Sequence, residues 1–169
     1  MEMCPGIPRS RTVVAVILEW RGKIALFRRS HLLSHDQGLW HCITGYVEEN
    51  TPAHQQAIDE LFEETGLRTE DLHSLRKGPD LVINDIQNQA WRIHTYVAHT
   101  KNRRLRIDWE HDTYRWTSPN KTKRFTNRVP WLDTILQANG FAGANAGSWT
   151  TERTAGSRQM VARRINCSD

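Results

Sequence analysis

Gly45-Tyr46-Val47-Glu48-Glu49-Asn50-Thr51, resumed at Asp59-Glu60-Leu61-Phe62-Glu63-Glu64-Thr65-Gly66-Leu67, sets three carboxylates in a short span between two glycines. Each residue of an α-helix advances about 100°, so Glu60, Glu63 and Glu64, at i, i+3 and i+4, share roughly one third of the circumference. Like charges at this spacing destabilise a bare helix by about 0.2–0.5 kcal/mol per pair. Carboxylate oxygens are the hard ligands that Mg²⁺ and Mn²⁺ prefer, so a divalent cation among them would turn the repulsion into a site. Three glutamates alone would equally make a solvated acidic face, and their surroundings decide between the two.

The helix carrying them is expected from Pro52 to Thr65. Thr51 reads as its N-cap, with Pro52 at the first helical position, where no amide donor is wasted. Asn50 tolerates the left-handed turn before it, and Gly66 ends the helix as a C-terminal cap. Ala57, Ile58, Leu61 and Phe62 form the arc opposite the glutamates, so one side packs on a sheet while the other faces a ligand.

Outward from this helix the pattern is mostly β. Strands are expected from Thr12 to Trp20 and from Lys23 to Arg28, joined at Arg21-Gly22, with a short third strand from Trp40 to Thr44 leading into Gly45. Others follow at Asp80–Ile83, Trp91–Ala98, Leu105–Trp109 and Tyr114–Trp116, and a closing helix from Pro130 to Asn139 stops at Gly140. Trp40, Trp91, Trp109 and Trp116 read as core or sheet-face aromatics. From Phe141 onward, Gly, Ala and polar residues replace the apolar periodicity. Residues 1–140 therefore form one domain and residues 141–169 a flexible tail, with a weak helix around Ser157 to Ile165.

The segment that begins at Gly45 resembles the Nudix box, G-x5-E-x7-R-E-U-x-E-E-x-G-U with U aliphatic. Seven of its nine fixed positions match, at Gly45, Glu60, Leu61, Glu63, Glu64, Gly66 and Leu67. Thr51 stands where the family has its first glutamate, and Asp59 where it has arginine. Asp59 is either a surface substitution or the loss of a cation that helps hold the neighbouring glutamates, in which case something else must orient Glu60. The resemblance extends from about Thr12 to Asn139; outside the box, Leu39 to Gly45 is similar to the family's strand into the box and Phe27-Arg28-Arg29 to the end of its second strand. It implies an α/β fold, an α/β/α sandwich with a mixed central sheet. Glu110-His111-Asp112-Thr113-Tyr114-Arg115-Trp116 is similar to the Glu-His-x-x-x-x-Trp segment of members that hydrolyse nucleoside triphosphates, whose glutamate can reach the metals. Carried over, that residue is Glu110.

The resemblance implies Mg²⁺-dependent hydrolysis, with Mn²⁺ as a substitute, of a pyrophosphate bond in a nucleoside triphosphate or another nucleoside-diphosphate-linked compound. Glu60, Glu63, Glu64 and Glu110 are the expected metal ligands, and either Glu63 or Glu110 the base that deprotonates water. Arg28, Arg29 and the backbone around Gly45 are the expected phosphate contacts. Thr51 and Asp59 keep open a second reading, a module of the same fold that binds a nucleotide, an RNA end or a protein partner without turnover.

Composition is consistent with either reading. At 169 residues, 38% hydrophobic and 25% charged, the chain suits one domain with a sizeable core. No apolar run approaches the roughly 20 residues that cross a bilayer, and the first residues lack the apolar stretch of a signal peptide, so a cytoplasmic protein is expected. Cys4, Cys42 and Cys167 are scattered and odd in number, which argues against a disulfide framework or a zinc cluster. A formal charge of +4 mildly favours an anionic ligand. The basic runs Lys101 to Arg106 and Lys121 to Arg128 read as solvated loops, since without interleaved aromatics they make no stacking platform for nucleic acid. Nucleic acid is thus expected only as an RNA 5′ end, and the oligomeric state, homodimer included, stays open.

Overall fold

The β-branched and apolar run Val13-Val14-Ala15-Val16-Ile17-Leu18 is buried on both sides of one strand, and the two sides face different helices. Val13, Ala15 and Ile17 pack with Leu132, Ile135 and Leu136, whereas Val14, Val16 and Leu18 pack with Ala57 and Leu61. This period-two division of a continuous apolar run is what a central strand covered on both faces requires. It makes three layers, helix on sheet on helix, in a computed structural model that describes residues 11–141 and the backbone of residues 159–162.

The elements are β1 (Thr12–Trp20), β2 (Lys23–Arg29), β3 (Trp40–His41), β4 (Ile43–Tyr46), α1 (Ala53–Thr65), β5 (Leu72–Asn84), β6 (Ala90–Thr100), β7 (His111–Thr117), α2 (Trp131–Ala138) and β8 (Gln159–Ala162). They form a mixed eight-stranded sheet along the path β3-β2-β1-β6-β5-β8, with β4 paired to β1 and β7 to β2. β1 runs parallel to β6 from Thr12↔Arg92 to Glu19↔His99. Its other edge is shared, since β4 takes Val13 to Val16 and β2 takes only Glu19 and Trp20. β2 therefore peels away from β1 and pairs with β7 from Ile24↔Thr117 to Arg29↔His111. The start of β7 is thereby brought beside the end of β2.

Most of the expected elements form, and the differences have local causes. The hairpin turn at Arg21-Gly22 is there, with φ of 48° and 77°. The strand expected from Trp40 to Thr44 is divided between β3, on β2, and β4, on β1. Leu105 to Trp109 is not a strand. Leu105 and Ile107 do turn inward, but the backbone N–H of Leu105 donates to the Tyr114 hydroxyl and that of Arg106 to the carbonyl of Thr65, so no strand is available to pair with. Trp109 is accordingly exposed, contrary to expectation. Gln159–Ala162 is a strand parallel to Asp80–Ile83 of β5 where a weak helix was expected; Phe141, the first residue of the expected tail, packs against the core, and residues 142–158 and 163–169 lie outside the described residues. Among the described residues no helix is long and apolar enough to cross a membrane.

Candidate active site

The loop from β4 into α1 turns through Asn50, whose φ of 63° is the expected left-handed conformation, and α1 ends at Gly66 with φ of 73°. The N-cap is Pro52 and no side chain caps the helix, so Thr51 does not play the capping part its sequence context suggests. Gln56 ties the loop down instead. Its Oε1 accepts the N–H of Glu48 at 3.1 Å and its Nε2 donates to Glu60 Oε1 at 3.0 Å. Gly45, opposite Val14 in the sheet, lies directly under that carboxylate, and a Cβ there would fall inside the Glu60 side chain. The glycine is thus the seat of Glu60.

The three glutamates of α1 occupy different depths. Glu63 is exposed, Glu60 is intermediate and Glu64 is only 2% exposed, on the core-facing side with Ala57 and Leu61. Phe62, expected in the apolar arc, is instead exposed at 40% and carries the Arg68 guanidinium 5.0 Å from its ring centre. Facing α1, the turn before β7 is fixed by two bonds of Glu110, whose N–H donates to Asp108 Oδ1 at 3.1 Å and whose carbonyl accepts the N–H of Ser30 at 2.7 Å. Glu110 thereby comes within electrostatic range of Glu60, Glu63 and Glu64. Sequence alone separates these residues by about fifty positions, and the β2–β7 register closes the gap.

Burial raises the carboxyls, and Arg29 offsets it only in part, at Glu110. Desolvation lifts Glu60 to about 7, against the hydrogen bond from Gln56 and with added repulsion from Glu63 and Glu110. Glu64 is pushed well above the usual carboxylate range by burial and then by the charges of Glu60, Glu110 and Asp108. Glu110 and Asp108 are also raised, first by burial. Behind Glu64, His111 Nε2 lies 3.7 Å from Glu64 Oε2, but burial and then Arg29 lower that imidazole to about 4, so it is neutral near pH 7. His41 is lowered to about 3 by burial, Arg29, His111 and His35. Cys42, a free buried thiol, is raised to about 12 by burial and by Glu64, which makes it unreactive.

The two arginines expected at the site point to opposite faces. Arg29 follows Phe27 on the α1 face, is 8% exposed, and reaches His35 Nε2 and the His35 carbonyl, both at 3.4 Å. Arg28 is exposed on the other face, with Nε 3.7 Å from Asp112 Oδ2. Asp59 accepts from Gln55 Nε2 at 2.8 Å on the helix surface and does not reach Glu60. Gln56, His41 and Asp108 were not among the expected site residues. Gln56 has a signal in hindsight, since it sits one turn before Glu60 on the same stripe. His41 and Asp108 have none, because only the pairing of β2 with β3 and β7 brings them in.

Glu64 Oε2 is buried with no hydrogen-bond partner, as are Arg29 Nε and His111 Nδ1. A buried carboxylate oxygen among three other carboxylates, with only a neutral imidazole near it, needs either a proton or a cation. The donor set is all oxygen, and that chemistry fits Mg²⁺ or Mn²⁺ rather than zinc. Among the described residues no three acidic, histidine or cysteine side chains already converge as a ligand shell, so the carboxylates would close on the ion by rotation about their side-chain bonds.

The family model that matches the chain is that of the NUDIX domain, over residues 8–138. Among solved structures, a MutT NUDIX hydrolase from Burkholderia pseudomallei is similar at a TM-score of 0.61 and 18% identity, over 76% of this chain and 96% of that one. The E. coli dihydroneopterin triphosphate pyrophosphohydrolase has a TM-score of 0.61 and 18% identity, over 78% of this chain and 97% of its own. The NUDIX domain of Shewanella oneidensis NrtR, complexed with ADP ribose, has the same TM-score of 0.61 and 18% identity, over 76% and 85% of the two chains. At these identities the likeness is one of fold. No curated protein resembles the chain closely enough to match.

Proposed function

The chain belongs to the Nudix family and is a hydrolase, and from that premise we propose that it cleaves a pyrophosphate bond in a nucleoside triphosphate or another nucleoside-diphosphate-linked compound, using Mg²⁺, with Mn²⁺ as a substitute. The observation that carries this reading is the buried, unpartnered oxygen of Glu64 amid the carboxylates of Glu60, Glu110 and Asp108. A catalytic site holds such unfavourable charge where a core would not. Ligands named for similar folds, ADP ribose in one and dihydroneopterin triphosphate in another, are themselves phosphoanhydrides of nucleoside-like compounds.

In this reading Glu60, Glu63 and Glu64 on α1 and Glu110 across from them hold the divalent ion. When bound, the ion neutralises charge on the phosphate oxygens and acidifies a water. The residues of the chain do the rest. Gln56 and the bare Cα of Gly45 fix the Glu60 carboxylate, and Glu63 or Glu110 takes the proton of the attacking water. Glu110, raised above the ordinary carboxylate value by burial, is the more basic for it, and Glu63 is the more exposed of the two. Arg29 supplies positive charge from beneath the cluster, and the strand around Gly45 offers backbone donors to a phosphate. Arg28, turned to the other face towards Asp112, is less suited to that contact. The free thiol at Cys42 accords with the reducing cytoplasm to which the same reading assigns the protein.

The test is a panel of nucleoside triphosphates, nucleotide sugars and dinucleoside polyphosphates, incubated with the purified chain and Mg²⁺ or Mn²⁺ and scored by release of phosphate or pyrophosphate. Metal-dependent turnover of at least one compound is expected. Saturable binding without turnover of any would replace this reading with the non-catalytic module that Thr51 and Asp59 leave open.

A further inference from the structure

The run Lys101 to Arg106, solvated by its sequence pattern, is organised in the folded chain by aromatics from elsewhere. Trp20, at the end of β1, carries the guanidinium of Arg21 at 5.2 Å and that of Arg103 at 5.5 Å from its ring centre. Trp116 packs on Trp20 at 5.9 Å, and its indole N–H donates to the Arg103 carbonyl at 2.9 Å, which pins the loop to β7. Cation–π attraction to one ring holds the two guanidinium groups near each other and leaves their N–H groups available. A groove of about 780 Å³ opens here, lined by Arg21, Lys101, Arg103, Arg104 and Arg106. Asp71 is the one acid in its lining, and both its oxygens are engaged, Oδ1 by Asn102 and Oδ2 by the N–H of Arg68. Among the described residues none of these four arginines is ion-paired, and all of them are exposed. Arg21 also holds a left-handed turn position, φ 48°, that glycine or asparagine would occupy more easily.

We propose that this groove binds single-stranded nucleic acid, with phosphates on Arg21, Arg103, Arg104 and Arg106 and bases against the exposed guanidinium planes. Unpaired cations fixed on aromatic rings suit a flexible polyanion with free π-faces, whereas a duplex keeps its bases stacked inside. The groove lies on the α1 side of the molecule, beside Thr65 and Gly66. Four residues of the same loop lie between Arg103 and Asp108, at most about 18 Å of chain. The groove thus lies within that distance of the turn that carries Asp108 and Glu110.

The test is fluorescence anisotropy of the full chain with a labelled oligoribonucleotide of about ten nucleotides. The oligonucleotide carries a 5′ hydroxyl and the buffer a chelator, so neither the carboxylate site nor turnover takes part in the signal. Four phosphate contacts on a single strand give a slope of log K against log salt of about −3, and Arg104→Ala with Arg106→Ala should bring it to about −1.4 with at least about tenfold weaker binding. Both positions are exposed, and an unchanged melting temperature will show that the variant is folded. Arg103→Glu is a second variant that should abolish binding. Oligonucleotide binding that is absent, or that is unaltered in both variants, overturns the proposal. So does binding confined to vesicles of phosphatidylserine in phosphatidylcholine.

Discussion

Gln56 Nε2 donates to Glu60 Oε1 at 3.0 Å, and the Oε1 of the same Gln56 accepts the N–H of Glu48 at 3.1 Å. One buried side chain thus ties the loop after Gly45 to the carboxylate that lies over Gly45. In the resemblance, orientation of that glutamate is the part of an arginine at position 59. Here Asp59 faces the surface and Gln56, one turn earlier, supplies the contact. Gln56→Leu keeps the volume and loses both bonds. Its Mg²⁺-dependent rate should fall about 10- to 100-fold, with a higher Mg²⁺ concentration for half-maximal rate. Titrating rate against Mg²⁺ is the check, and an unchanged curve would remove Gln56 from the site.

Glu64 gives the sharpest separation of stability from activity. Its carboxylate is 2% exposed, lacks a partner for Oε2 and is repelled by Glu60, Glu110 and Asp108. Glu64→Gln preserves shape and removes the source of that repulsion. Without metal the variant should melt higher than the parent, while its metal-dependent activity falls by at least about tenfold. Added Mg²⁺ should raise the melting temperature of the parent and leave the variant nearly unmoved. A metal-free variant that melts lower, with activity intact, would make Glu64 an ordinary core residue.

What could be read from the chain and what could not divide along the range of the interactions. Glu60, Glu63, Glu64, Gly45 and Gly66 were legible because a helix and its flanking glycines obey fixed spacings, and the continuous apolar run through β1 marked the strand over which they lie. Phe62 misled because its place in the helical arc said nothing of how far the sheet extends beneath it. Leu105 and Ile107 read as a strand since alternation reports only which way side chains face, while their backbone bonds went to Thr65 and Tyr114. The buried group of Arg29, His41 and His111 behind Glu64 depends on β2–β3 and β2–β7 pairing across long sequence separations. No local pattern encodes that register.

Asp59 is where the chain reverses a charge of the family pattern, and its setting is mundane. Its carboxylate takes one exposed hydrogen bond from Gln55, one turn back on the helix. Asp59→Ala should change stability by no more than about 0.5 kcal/mol, the range of surface substitutions, and leave the Mg²⁺ dependence of the rate as it is. Asp59→Arg adds a planar cation next to Glu60 and should lower the Mg²⁺ concentration needed. A marked loss of rate in Asp59→Ala with the fold intact would instead place Asp59 in the outer surroundings of the metal.

Acid stability should report on the buried imidazole of His41. Burial, then Arg29, His111 and His35, hold it at about 3 in the folded chain, against 6.5 for an ordinary histidine. Above pH 6.5 neither state is protonated and His41 costs nothing. Between 6.5 and 3 the unfolded chain takes up a proton that the folded chain refuses, so stability falls as pH falls, by up to about 1.4 kcal/mol per pH unit. Below 3 the loss levels off. Glu60, raised to about 7 in the folded chain against 4.5, runs the other way, since ionising it between 4.5 and 7 weakens the fold as pH rises. The two trends overlap between 4.5 and 6.5, so the parent's own curve is flattened there. The difference between parent and His41→Asn cancels the Glu60 contribution. Measured by urea unfolding from pH 7.5 downward, that difference should shift in the variant's favour below about pH 6.5 and stay constant above it. A difference independent of pH across this range would mean that His41 takes its proton in the folded chain as readily as in the unfolded one.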